Sequence, residues 1–80
     1  MNDYYNHVLL WLKANKPKYV IILVTYNDKE TEWLLEDVIV YSDGDVMIDG
    51  IHFDEYVGAV FNHATCRFFK FTEPGKKEEI

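Results

Sequence analysis

Hydrophobic residues recur at helical spacing at the start of the chain. Tyr5, Val8, Leu9 and Leu12 form one stripe and Tyr4, Val8 and Trp11 an adjacent one, the pattern of an amphipathic helix. Asp3 is read as its N-cap, with the carboxylate at the positive end of the helix dipole. Lys13 suits the last turn, and Asn15-Lys16-Pro17 ends the helix. The apolar arc is wide for one helix on a small sheet, so part of it is expected to face a neighbouring subunit.

From Lys18 to Tyr26 the residues are β-branched and aromatic with almost no alternation, which predicts a strand covered on both faces. Asn27-Asp28-Lys29-Glu30 is a polar connection. Trp33-Leu34-Leu35 and Val38-Ile39-Val40-Tyr41 read as one long strand, and the acids Glu36-Asp37 between them predict a bulge or sharp bend. Asp43-Gly44 is a hairpin signal, because a type I′ turn needs positive φ at both central residues. Asp49-Gly50 repeats the signal after a short strand from Asp45 to Ile48.

Residues 53–64 admit two readings. Phe53, Val57, Val60, Phe61 and Ala64 have helical spacing with Asp54 as a cap, but Gly58 disfavours a helix interior and Tyr56 to Phe61 also fits a strand. Thr65 to Phe71 is a closing strand, with Arg67, Phe69 and Phe71 on one face and Cys66, Phe68 and Lys70 on the other. The polar segment from Thr72 contains Pro-Gly and predicts a disordered tail at 73–80, behind a single domain of residues 1–72. The layout is α+β and mostly β: one helix, then four or five antiparallel strands.

Composition narrows the picture. Eighty residues bury only about 60–65% of their unfolded surface, so a domain of this size commonly relies on a staple or an oligomer. Cys66 is the only cysteine, which rules out a disulfide within the chain, and His7, His52 and His63 are too scattered to complete a zinc site with it. Apolar content of 49% with 16% aromatics suits a chain that buries surface twice, once in folding and once in self-association. No basic segment precedes the apolar part of the N-terminus and no apolar run approaches membrane-spanning length. The expectation is a cytoplasmic protein that does not enter a membrane, consistent with a lone thiol in a reducing compartment.

Net charge is -6 and unevenly spread. Residues 28–55 carry ten acids against Lys29 alone, whereas the opening 27 residues carry Lys13, Lys16 and Lys18 against Asp3, and residues 56–72 add Arg67 and Lys70 with no acid. Solvated turns and strand faces account for this pattern. So do two faces of opposite sign, one suited to phosphates and the other to a basic protein.

Nothing in the chain spells an active site, and no enzyme and no cofactor are predicted. Ser42 is the only serine and stands beside a turn with no histidine near it in sequence. Asp43-Gly44-Asp45 with Asp49 fails the calcium-loop pattern, since Met47 takes a ligand position and the glycine is misplaced. No glycine-rich phosphate loop is present. The polar group set inside an apolar run is Asn62-His63, between Ala59-Val60-Phe61 and Ala64-Thr65-Cys66-Arg67. Two readings apply to it: turn geometry with local hydrogen bonds, or an exposed amide and imidazole that bind a base edge or a phosphate.

Residues 59–67 resemble the second Sm signature of bacterial Hfq proteins, in which an apolar pair and an aromatic precede Lys-His-Ala-Ile-Ser-Thr. The resemblance extends backward in order. Asp3 through Asn15 matches the N-terminal helix, with Leu12-Lys13-Ala14-Asn15 at its end; Val20 to Tyr26 matches the first strand; Val38 to Ile48 matches the bent second strand and the third. It implies a strongly bent five-stranded antiparallel Sm-like barrel behind the helix, and a ring of six or seven subunits, or a smaller self-assembly, joined edge to edge. It also implies single-stranded, uridine-rich RNA at the pore. Carried across, His63 keeps its place, Asn62 replaces the lysine, and Asn2 stands where a helix-start glutamine assists. Gly44 falls at the stacking aromatic with Tyr41 three residues earlier, Glu36 at the bend glycine, and Ser42 at a frequent aspartate.

Three functions follow as expectations. The first is an Hfq-like oligomeric RNA-binding protein acting in post-transcriptional regulation through Asn62, His63, Tyr41, Asn2, Lys13, Lys16 and Arg67. The second is a small acidic interaction module, or a nucleic-acid-mimicking inhibitor of the kind mobile elements encode, that binds a basic partner through Asp43, Asp45 and Asp49. The third is a structural ring or dimer without a ligand.

Overall fold

The structure, a computed structural model, describes residues 2–60 and 64–80. Helix α1 (Asp3–Asn15) is capped by Asn2 and not by Asp3: Asn2 Oδ1 accepts the Tyr5 N–H at 2.8 Å, and Asp3 lies in the first turn. At the other end Lys16 takes the left-handed conformation (φ 47°) and its N–H donates to the Leu12 carbonyl at 2.8 Å. Pro17 then prevents continuation.

Strands β1 (Val20–Tyr26) and β2 (Lys29–Leu35) pair antiparallel around Asn27-Asp28. Both turn residues have positive φ, 51° and 61°, so the connection is a two-residue type I′ turn built without glycine. Asn and Asp tolerate that region because their short polar side chains bond locally. The polar connection is therefore shorter than the sequence predicts, and the strand begins at Lys29.

The expected bend falls at Glu36-Asp37. Beyond it β3 (Val38–Val40) leaves the first sheet and pairs with β4 (Val46–Ile48), which pairs with β5 (Ile51–His52). Asp49-Gly50 is the expected type I′ turn, with φ of 52° and 77°. The Asp43-Gly44 turn is different. In that loop only Gly44 has positive φ, 90°, and its N–H donates to the Tyr41 carbonyl at 3.0 Å. Ser42 and Asp43 thus occupy the turn centre and Gly44 the bulge position of a three-residue loop.

From Phe53 to Glu55 the chain makes an α-helical turn that continues as a π-helical turn over Tyr56–Val60. Helical spacing is the correct reading of this segment as far as Val60; exposed Gly58 sits in the wider π turn without a close neighbour. Strand β6 (Thr65–Glu73) returns beside β1, with Ile22 opposite Phe68. Residues 73–80 are not a disordered tail. The chain reverses at Pro74-Gly75, where Gly75 has φ 78°, and β7 (Lys76–Glu79) pairs with β6. Ile80 closes the strand by burying its side chain and donating its N–H to the Phe68 carbonyl at 2.9 Å.

The fold is α+β and mostly strand, an N-terminal helix with antiparallel sheets of order β2-β1-β6-β7 and β3-β4-β5. Pairing among the described strands does not close into a barrel. The core lies between helix, sheets and helical turn: Val20, Ile22 and Val24 of β1, Cys66 and Phe68 of β6, Val8 and Leu12 of α1, Val46 and Ile48 of β4, and Phe53, Tyr56 and Val57. Phe68 joins these layers, packing edge-on against Tyr5 (centroids 6.5 Å) and tilted against Phe53 (5.7 Å). The helix's apolar arc is largely used within the chain, since Tyr4, Tyr5, Leu9 and Trp11 all pack on the core. Among the described residues, strand β1 is covered by a layer on one face only. Ile21, though 9% exposed, lies outside the core and is screened by its strand partners Leu34 and Phe69.

Two tyrosine hydroxyls fasten α1 to the sheet. The Phe68 N–H donates to Tyr4 Oη at 2.8 Å and the Cys66 N–H to Tyr5 Oη at 3.2 Å. Both donors face the edge of β6 below the end of β7, where no strand among the described residues receives them. Removing the acceptor leaves a part-buried N–H unsatisfied, so Tyr4→Phe is expected to lower stability by about 1 kcal/mol or more. Tyr26→Phe, at an exposed position, is expected to change it by less than about 0.5 kcal/mol. Urea denaturation measures both, and equal midpoints for the two variants would remove the tyrosine seam from the account.

Candidate functional site

Asn62 and His63, the residues that carry the Sm-like signature, lie outside the described residues. The other RNA-binding candidates do not converge. Asn2 and Arg67 share one cleft with Tyr4, Tyr5, Thr65, Cys66 and Glu79, at the start of β6 and so close in sequence to His63. Both are engaged there. The Asn2 amide oxygen caps α1, and the Arg67 guanidinium holds Glu79 through Nη2 at 2.8 Å and Nε at 3.2 Å. Lys13 projects from the last turn of α1 into a second cleft lined by Leu9, Gly44, Asp45, Val46, Phe53 and Asp54. Tyr41 is exposed at the start of the β3–β4 loop, and Lys16 is the left-handed residue that ends α1.

The acidic candidates sit on the three-stranded sheet, though not as one cluster. Asp43 Oδ1 accepts the Asp45 N–H at 2.9 Å, an Asx turn that stiffens the β3–β4 loop. Asp49 occupies the turn at the opposite end of β4, its N–H donating to the Asp37 carbonyl at 2.9 Å. Four residue steps of extended chain separate Asp45 from Asp49, roughly 13 Å. Groups so far apart do not chelate one ion, and no set of three or more metal-ligating side chains comes together among the described residues. They form a row of charge along a short sheet.

His52 is a titratable member of this row that the sequence reading passed over as one of three scattered histidines. Its Nδ1 lies 3.0 Å from Asp45 Oδ2. The Asp49-Gly50 turn pairs Met47 with His52, which brings the imidazole beside Asp45 on the neighbouring strand; that register was the available signal. The hydrogen bond to Asp45 is the first cause holding its pKa above the ordinary histidine value of 6.5, followed by the charge of the same carboxylate, with Glu55 and Asp54 adding to it.

Elsewhere the shifts point to structure. Burial pushes Tyr4 up to about 12, with Glu79 contributing, and burial likewise raises Tyr5. Tyr56 rises to about 12, from burial first and the Asp49 charge second. Burial raises the Cys66 thiol, the wrong direction for a nucleophile. Among the described residues no helix is long and apolar enough to cross a membrane. Compared with protein-family models, curated proteins and solved structures, the chain matches none.

The His52 shift has a sign. A raised folded-state pKa contributes stability that is fully present below the unfolded value near 6.5 and is lost as pH rises through the folded pKa. An NMR titration of the His52 ring is expected to give a midpoint above 6.5 that moves back toward it in Asp45→Asn. A midpoint at or below the ordinary value would show that the pair does not persist in solution.

Proposed function

We propose that this chain is a small interaction module that binds a basic protein partner through the rim of its three-stranded sheet. Segregation of charge carries the reading. Residues 36–55, which form the bend, the three-stranded sheet and the helical turn after it, hold seven carboxylates and no lysine or arginine. All other residues together hold eight cations against seven acids. The net negative charge of the molecule thus resides at one end. Of those seven carboxylates only Asp45 has an ionic partner among the described residues, the titratable His52; Glu36, Asp37, Asp43, Asp49, Asp54 and Glu55 are exposed.

Four of the eight cations, by contrast, have partners within the longer sheet and the helix. Arg67 pairs with Glu79, Lys77 with Glu32 and Lys76 with Glu73, while Lys70 lies over the Trp11 ring at 5.5 Å. The unpaired acids repel phosphates and steer a basic surface toward the acidic end. A row of carboxylates along a strand also resembles a nucleic-acid backbone to a protein built to grip one, the chemistry of a mimicking inhibitor. A basic protein retained by the immobilised chain at physiological ionic strength is expected to lose at least about tenfold in affinity when Asp43, Asp45 and Asp49 are changed together to Lys. Unchanged affinity would sink the reading.

The Hfq-like RNA-binding reading is supported by one specific observation, the strand order. A strand bent between two sheets, β2 and β3 in continuity, is followed by β4, β5, a helical turn, and β6 returning antiparallel beside β1. A run of five strands whose last returns beside the first is one order in which a small barrel is built. A uridine-rich oligonucleotide at low salt is expected, on this reading, to raise fluorescence anisotropy with an affinity that falls steeply with salt and weakens in Arg67→Ala and His63→Ala. No anisotropy change at low salt refutes it.

A further inference from the structure

We infer that the outer face of the three-stranded sheet anchors a basic, amphipathic segment of a partner protein, seating an apolar side chain between flanking arginines or lysines. The inference rests on the reading above that the partner is basic, and adds which part of that partner is gripped.

Register places the surface. Ile39 stands opposite Met47, and Met47 opposite His52, so these three side chains form a row across the sheet. Their neighbours Val38, Val46 and Ile48 point the other way and are buried in the core. Tyr41 follows Ile39 on the outer side by the same alternation, and its N–H donates to the Asp45 carbonyl at 2.8 Å. The Asp45 carboxylate lies on that side too, since it meets His52 Nδ1 at 3.0 Å. Ile39 is 42% and Tyr41 45% exposed, with Met47 partly buried between strands. Among the described residues the row is left open to solvent.

Charge identifies the occupant. Asp43 and Asp45 stand at one end of this sheet and Asp37 and Asp49 at the other, where the Asp49 N–H donates to the Asp37 carbonyl at 2.9 Å. Residues 36–55 bring no lysine or arginine to neutralise them. Lys13 borders the sheet, but in a cleft it shares with Val46 and Phe53, whose side chains belong to the core. An apolar row between two acidic ends matches a segment whose cations bracket an apolar residue. A second copy of this chain would bring carboxylates onto carboxylates. A nucleic-acid strand would bring phosphates onto them.

The dimensions suit a short peptide segment. Asp45 to Asp49 spans roughly 13 Å, and three strands roughly 10 Å across. Such a face is far smaller than a stable dimer contact but long enough for about four residues of extended chain. Basic residues on both sides of the anchor then reach the two acidic ends at once. At the loop end, Tyr41 beside Asp45 sets a ring face next to a carboxylate, where a guanidinium both stacks and donates. His52 leaves acceptor positions free on Asp45, because an ionised carboxylate has about four. Arginine is therefore favoured over lysine at that end.

Two synthetic peptides of equal length and charge test the inference. One has leucines flanked on both sides by arginines; in the other those leucines are serines. By fluorescence anisotropy at physiological ionic strength, the leucine peptide is expected to bind the full chain at least about fivefold more tightly. Ile39→Thr, which keeps a β-branched residue at an exposed strand position, is expected to remove most of that preference. Leu10→Gln, exposed on α1, is the control and is expected to retain it. On the unaltered chain, amide NMR shifts at Ile39, Tyr41 and Met47 are expected to move as the leucine peptide is added. Shifts confined to other elements overturn the inference, as does a leucine preference that survives Ile39→Thr. Equal binding of the two peptides, lost for both when Asp43, Asp45 and Asp49 become Lys, overturns the inference while the basic-partner reading stands. Binding of neither peptide overturns both.

Discussion

The arrangement of this small domain depends on how the free edge of β6 is satisfied. A strand's backbone donors and acceptors require partners on both sides. On one side β6 has β1 along most of its length. On the other it has β7 only from Phe69 onward, with Ile80 reaching the Phe68 carbonyl. The remaining donors, Phe68 N–H and Cys66 N–H, bond to the hydroxyls of Tyr4 and Tyr5. Those two bonds fix the angle and position of α1 across the sheet. Once α1 is set there, Val8 and Leu12 are fully buried, and Phe68 is enclosed between helix and helical turn.

That fastening also explains how charge becomes polarised. Strand β2 ends against the core at Leu35, and Glu36-Asp37 redirects the chain so that the next strands build a separate small sheet. Everything in that excursion is short, with turns at Asp43-Gly44 and Asp49-Gly50 that favour aspartate and glycine for conformational reasons. Turn chemistry and electrostatics therefore reinforce one another, because residues chosen for tight reversal also load the excursion with carboxylates. The cations lie on the helix end and on the longer sheet, where Glu79 of the adjacent strand neutralises Arg67 and Glu32 of the opposite edge strand neutralises Lys77.

Features that depend on periodicity or turn chemistry were readable in the sequence: the helix, the strand at Val20 to Tyr26, the bend at Glu36-Asp37, the Asp49-Gly50 turn and the face alternation of β6. Features that depend on partners far along the chain were not. Strand β7 has the composition of a solvated tail, Lys-Lys-Glu-Glu, and is a strand only because β6 offers it an edge and Ile80 an anchor. The cap of α1 passed from Asp3 to Asn2 because capping turns on backbone geometry one residue upstream of the charge. Of the candidate sites, the row of Asp43, Asp45 and Asp49 was legible as turns, but its spacing along β4 was not, since spacing is a property of register. The pore candidates Asn62 and His63 fall outside the described residues, so the signature that suggested RNA keeps its standing as sequence.

The seam between α1 and β6 also hides the chain's single thiol. Cys66 is 1% exposed, its own N–H is one of the two that the tyrosines hold, and burial raises its pKa. A thiol so placed reacts with an alkylating reagent only after the helix lifts from the strand. The rate of Cys66 modification therefore reads out the breathing of that seam directly, without any label being introduced. It distinguishes local detachment of α1 from unfolding of the whole domain, a separation that a global probe of secondary structure does not provide.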